Sequence, residues 1–249
     1  MSEPTSSSPA PLRITSEGDI AVVTLDRGRV NALDLELLDA LSLAFRELST
    51  GDGIVLTGQG SVFSAGVDLR RFLDGGLSYA EAFFTALDAT LRAAFTLRMP
   101  LVTAVNGHAI AGGCVLAATG DHVLMSGGTM GLPELNVGVP FPVVTVEIMR
   151  YRLGPRLASV VHSGVARTAE QALAERIIDS VAAPESLKDV ALSECRALNR
   201  APKPTFASIR SSLRAGAVAA MGAAPPPAEV AARWSRPEVI ERIERALQR

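Results

Sequence analysis

Short apolar runs, each closed by a turn and separated from the next by a helical stripe, leave few architectures open to this chain. Ile20-Ala-Val-Val-Thr-Leu25 is rich in β-branched residues and ends in Asp26-Arg27-Gly28, a strand and its turn. After Asp34 the period changes. Leu37, Leu41, Ala44 and Leu48 recur on one helical face, with Leu38 and Phe45 beside them. Gly51 and Gly53 bracket the turn into a second strand, Ile54-Val55-Leu56-Thr57. Tyr79, Phe83, Leu87, Leu91 and Phe95 repeat along one side of a long helix, which Pro100 closes. Leu101–Val105 and Asp121–Met125 supply further strands, with the apolar segment Ala109–Ala118 between them. Strands alternating with helices in this manner predict an α/β fold.

Beyond about residue 165 the strand signals stop. Helical patterns over Glu170–Arg176, Leu187–Leu198 and Val239–Leu247 predict a helical annex, with Ala223-Ala-Pro-Pro-Pro-Ala228 separating the last two. The organisation expected is a flexible Ser/Pro tail over 1–12, a core over 13–195 and a helical C-terminal region over 196–249.

Composition removes whole classes of function. With 48% hydrophobic and 20% charged residues in 249, the chain has material for a core and is no disordered polymer. The 24 basic and 26 acidic residues form no block, so there is no electrostatic footprint for nucleic acid. The N-terminus lacks the basic-then-apolar order of a signal peptide. The most apolar stretch, Leu101–Leu116, is broken by Asn106, Gly107, His108 and Gly112-Gly113, and a spanning helix needs about 20 mostly apolar residues. A cytoplasmic, non-membrane protein is expected, and Cys114 and Cys195 suit a reducing compartment. His108, His122 and His162 show no metal-ligand spacing. Phe63 stands where a dinucleotide fingerprint needs its third glycine, and Val62 breaks a Gly-x-Ser-x-Gly elbow around Ser64.

Two loops survive. Phe63-Ser-Ala-Gly-Val-Asp-Leu69 and Asn106-Gly-His-Ala-Ile-Ala-Gly-Gly-Cys114 each follow a short strand and carry small residues where a backbone must approach something closely. Peptide N–H groups left accessible by such residues, when two converge, make an oxyanion hole. Glycines that only form tight turns would give the same spacing.

The order of these motifs, with Val30-Asn31-Ala32-Leu33 upstream and Asp121 and Pro133-Glu134 downstream, resembles the crotonase superfamily, the enoyl-CoA hydratase/isomerase family. The resemblance runs from about Ile20 to Val181. It implies a spiral of ββα turns, a helical C-terminal trimerisation region and an acyl-CoA substrate, in a homotrimer or dimer of trimers. No cofactor is implied beyond the coenzyme A of the thioester itself. The family's two oxyanion-hole amides fall on Val67 and Gly112, and Ala65, Gly66, Asp68 and Leu69 would lie along the bound CoA. Arg27, Arg29, Arg70 and Arg71 are candidates for its phosphates, though solvated surface charge is the better explanation for each.

One departure bears on the reaction. Hydratases of the family place a glutamate just after the second loop and another some way downstream. Here the first position is Val115 and the second is Glu134. Adding water across a double bond uses both carboxylates; moving a double bond from C3 to C2 needs one base that takes a proton at C2 and returns it at C4. The resemblance therefore favours a Δ3,Δ2-enoyl-CoA isomerase. The alternatives are an enoyl-CoA hydratase, or another acyl-CoA lyase or hydrolase, in fatty-acid oxidation, and a CoA-binding protein without turnover. Beside Pro133, Glu134 also fits the acidic first turn of a helix. Enclosure by Leu132, Leu135 and Val137 would raise its pKa towards that of a base working near neutrality. The aromatic helix is expected to line an acyl pocket or to face the core, and Trp234 to pack.

Overall fold

The structure, a computed structural model, describes residues 10–248. The tail expected over 1–12 thus lies largely outside the described residues, and Leu12 already belongs to a strand. The strands are β1 (Leu12–Glu17), β2 (Ile20–Leu25), β3 (Gly53–Gly58), β4 (Val62–Ser64), β5 (Leu101–Val105), β6 (His108–Ile110), β7 (His122–Met125), β8 (Thr129–Gly131), β9 (Arg167–Thr168) and β10 (Ser180–Val181). The α-helices are α1 (Leu35–Glu47), α2 (Leu69–Phe95), α3 (Gly112–Ala118), α4 (Glu134–Val137), α5 (Val143–Leu153), α6 (Leu157–Ser163), α7 (Ala169–Ala174), α8 (Leu187–Leu198), α9 (Lys203–Gly222), α10 (Pro227–Trp234) and α11 (Pro237–Leu247).

The larger sheet runs β1-β2-β3-β5-β7-β10, antiparallel only at the β1–β2 hairpin. The smaller sheet runs β4-β6-β8-β9, with β4, β6 and β8 parallel and β9 antiparallel. Parallel neighbours need crossover connections. Here β3 is followed by β4 and α2, β5 by β6 and α3, and β7 by β8 and α4. Each circuit places one strand in each sheet before a helix returns, which is the spiral of ββα turns expected.

The apolar stripes close this spiral. Leu37, Leu38, Leu41, Ala44 and Phe45 of α1 are buried, and Asp34 caps the helix by accepting from the Leu37 N–H at 2.9 Å. The helix anticipated over Tyr79–Phe95 starts earlier, at Leu69, and breaks its regular geometry at Gly76 (φ 63°, ψ −160°), a conformation glycine adopts without steric cost. The opposite face of the larger sheet is covered by α8 through Leu187, Ala191, Leu192 and Cys195. The boundary drawn after residue 195 thus falls inside a helix that packs on the core sheet. Past residue 165 the chain still forms the two-residue strands β9 and β10, too short for any sequence period to register.

The C-terminal helices are anchored by buried charge. Arg210 and Arg214 of α9 are 5% and 2% exposed and share Asp121, at 2.8 Å each. They also donate to the carbonyls that end α2 and α3, among them Phe95 and Thr119. Among the described residues no helix is long and apolar enough to cross a membrane, and no group of His, Cys, Asp and Glu could hold a metal ion.

Candidate active site

The two glycine loops meet beside Leu33. The Leu33 N–H donates to the Gly66 carbonyl (2.7 Å) and its own carbonyl accepts from Asp68 (2.9 Å), an isolated parallel bridge to Val67. This pattern leaves the Val67 N–H outside the bridge. Upstream, Asn31 is fully buried in the left-handed region (φ 47°), and its amide donates to the carbonyls of Gln59 and Val62. Its own carbonyl accepts from the Ser64 hydroxyl at 2.8 Å, so the Val30-Asn31-Ala32-Leu33 segment fixes the first loop.

The second loop turns at Ala111 (φ 53°) and enters α3 at Gly112. First-turn amides of a helix have no partner within it, so the Gly112 N–H points out of the helix end. A Cβ placed on Gly112 would stand 3.8 Å from Gly66 Cα and 4.0 Å from the Val67 nitrogen. One on Gly66, where φ is +84°, would meet the Ile110 carbonyl oxygen at 2.8 Å. The loops can approach this closely only because both positions lack side chains.

Above them lies a cavity of about 260 Å³. Ala65, Val67, Leu69 and Gly112 line it, and so does Glu134. Gly66 lies beneath, against Ile110 and Ala111, and supports the wall without facing the space. Glu134 is 7% exposed and occupies the first position of α4, with Pro133 at the cap and no side-chain capping bond. Its Oε2 is buried without a hydrogen-bond partner among the described residues. Burial pushes its pKa up to about 7, with only a hydrogen bond from its own backbone pulling the other way. A helix-capping role does not account for that unpartnered oxygen.

Other expected residues lie elsewhere. Asp68 caps α2, accepting from the Arg71 N–H at 3.1 Å, and does not face the cavity. Arg29 and Arg70 are exposed and line none of it. Arg27 and Arg71 converge on Asp34, at 2.6 and 2.8 Å, with Glu36 beside them, so both guanidinia are already paired. Val115 is 0% exposed on the core side of α3 and forms no part of the cavity wall.

Phe84 and Leu87 of α2 line the cavity, whereas Phe83, Leu91 and Phe95 fill the core. Only Leu87 of the expected stripe does both. Trp234 closes the cavity from α10, its indole N–H donating to the Pro140 carbonyl at 2.9 Å and its ring edge-on to Phe72 and Phe84. Phe141, from the Val139-Pro-Phe-Pro-Val143 segment, forms another wall. Neither aromatic was expected there, since only the fold brings them within reach of Glu134.

The sequence profile of the family described as enoyl-CoA hydratase/isomerase matches residues 15–224. A carnitinyl-CoA dehydratase of Salmonella arizonae is 31% identical over 209 residues, covering 82% of this chain and 80% of that protein. Human mitochondrial Δ3-Δ2-enoyl-CoA isomerase superposes with a TM-score of 0.89 at 22% identity, over 96% of this chain and 97% of that one, a likeness of fold. A probable enoyl-CoA hydratase of Mycobacterium tuberculosis does so at 0.82 and 28%, over 93% and 99%.

Proposed function

We propose that this chain, which belongs to the enoyl-CoA hydratase/isomerase family of the crotonase superfamily and is an acyl-CoA enzyme of that type, moves a double bond from C3 to C2 of an enoyl-CoA. One observation carries the proposal. Glu134 is the sole titratable side chain on a cavity otherwise walled by hydrocarbon, backbone, Thr145 and the Trp234 indole, among the described residues.

The chemistry follows from that inventory. The thioester carbonyl sits against the Val67 and Gly112 amides, which stabilise the oxyanion as the C2 proton leaves; one such donor contributes roughly 2.7–4 kcal/mol in acyl-transfer sites. Glu134, as carboxylate, takes that proton. The dienolate carries its charge between the oxygen and C4, and Glu134 returns the proton to C4, leaving the double bond between C2 and C3. No water takes part. Addition of water would call for a second acid–base group to activate it, and Val115, at the position where hydratases of the family carry that group, faces the core.

A second reading is supported by the curated relative's name: carnitinyl-CoA dehydratase moves water out of its substrate. The lone carboxylate weighs against it here, and Glu134, unpartnered in a cavity, weighs against a CoA-binding protein without turnover. The homotrimer or dimer of trimers expected of the family has support in Ile209 and Leu213, 56% and 65% exposed one turn apart on α9. Incubation with a 3-enoyl-CoA and, separately, a 2-enoyl-CoA tests the proposal, following the conjugated thioester. Isomerisation should far outpace hydration; faster hydration would hand the site to the second reading.

A further inference from the structure

A second cavity, of about 350 Å³, adjoins the first, and Phe141 and Thr145 wall both. It lies against α5 and α6, with a hydrocarbon floor that includes Leu132, Val146, Met149 and Val161. Thr145 brings no unmet polar group to the partition, because its hydroxyl donates to the Pro142 carbonyl at 2.6 Å. Arg150 and His162 stand exposed at the rim, and Arg150 already pairs with Glu147 at 3.1 Å.

Size gives this space a use. At about 30 Å³ for a group the size of a water molecule or a methylene, the 260 Å³ of the first cavity holds roughly eight or nine such groups. The thioester and the carbons between which the double bond moves take most of them. A chain beyond about the sixth carbon needs further room, and the second cavity offers it for roughly twelve more groups. Tails bearing hydroxyls or charges on these carbons would lose their water without gaining a partner.

We infer that the second cavity receives the distal hydrocarbon of a medium-chain acyl-CoA, which passes between Phe141 and Thr145. This rests on the acyl-CoA reading above and adds the class of acyl chain. Ala158 lines the second cavity only and is exposed on α6, so a large side chain there plugs the space from the solvent side without entering the core.

The test uses butanoyl-, octanoyl- and dodecanoyl-CoA, titrated calorimetrically into the full chain and into Ala158→Trp, with Ala158→Phe as a smaller second plug. Each methylene that enters an apolar space tightens binding by up to about fourfold. Wild type should bind dodecanoyl-CoA at least about a hundredfold tighter than butanoyl-CoA, and the plugs should cut that ratio at least about tenfold. A ratio unchanged in both variants, or a wild type indifferent to chain length, overturns the inference. Because saturated thioesters are used, a protein that shows this pattern yet isomerises nothing would lose the isomerase reading and keep the chamber.

Discussion

Asp121 and Glu134 are both largely withdrawn from water, and the molecule treats them in opposite ways. Asp121 accepts from Arg210 at 2.8 and 3.0 Å, from Arg214 at 2.8 Å and from the Leu101 N–H at 2.9 Å. Arg214 in turn lies over the Phe95 ring, 4.3 Å from its centroid, and the pair of guanidinia cap the far ends of α2 and α3. Those two helices begin at the Val67 and Gly112 loops. Among the described residues Glu134 pairs with no cation and has an oxygen with no hydrogen-bond partner. A charge buried with partners holds structure together; a carboxyl buried without them has its charged form disfavoured, which marks it as a candidate reactive group.

Substitution at each carboxylate should separate the two roles. Glu134→Gln should lower turnover by about 10²–10⁴-fold, the usual loss on removing a general base, while leaving the melting temperature equal or higher. Unchanged turnover would remove Glu134 from the mechanism. Asp121→Ala should act on folding instead, costing about 3–5 kcal/mol in denaturant unfolding because two buried guanidinia lose their counter-ion. A stable Asp121→Ala protein would mean that the arginines are satisfied by carbonyls alone.

Gly112→Val lies between these extremes. Its new Cβ meets Leu33 Cδ1 at 3.0 Å, a side-chain end that can rotate aside, but it intrudes on the approach to the Val67 nitrogen. The rate should fall by about 10²–10³-fold with a smaller effect on stability. Simple unfolding would reduce the glycine to a tight-turn residue.

The smallest effect is on pH dependence. The unfolded chain releases the Glu134 proton near 4.5, whereas the folded protein keeps it to about 7. Between those values the folded state holds more protons, so this group makes stability fall as pH rises, and its contribution is flat above about 7. Activity should run the other way, kcat/KM rising with pH towards about 7 as the carboxylate forms. In stability measurements Glu134→Gln should lack this component, while Asp121→Ala retains it.

The same contrast marks how far the sequence alone reaches. Leu37, Leu41 and Ala44, or the run Leu101–Val105, announce their elements because packing against one face imposes a period. β4, β6 and β8 span three residues each, too few to show one. α9 has no apolar stripe to find, since two of its buried positions are Arg210 and Arg214. At the site, Val67, Gly112 and Glu134 were legible as loop and motif residues. Trp234 and Phe141 were not, because their place on the cavity comes from tertiary folding. Arg27 and Arg71 had candidate roles at phosphates, but the fold gives them Asp34 and Glu36. Val115 stands at the position of the first glutamate of the family's hydratases, and its side chain is fully buried in the core cluster.

The central claim is that one enclosed carboxyl carries a proton from C2 to C4. A 3-enoyl-CoA bearing two deuterons at C2, converted in ordinary water and read by mass spectrometry and NMR, tests it directly. One deuteron should remain at C2 and a measurable share of the other should appear at C4, with Glu134→Gln giving no transfer. Brisk isomerisation by wild type with no deuterium at C4 would contradict transfer by a single enclosed group.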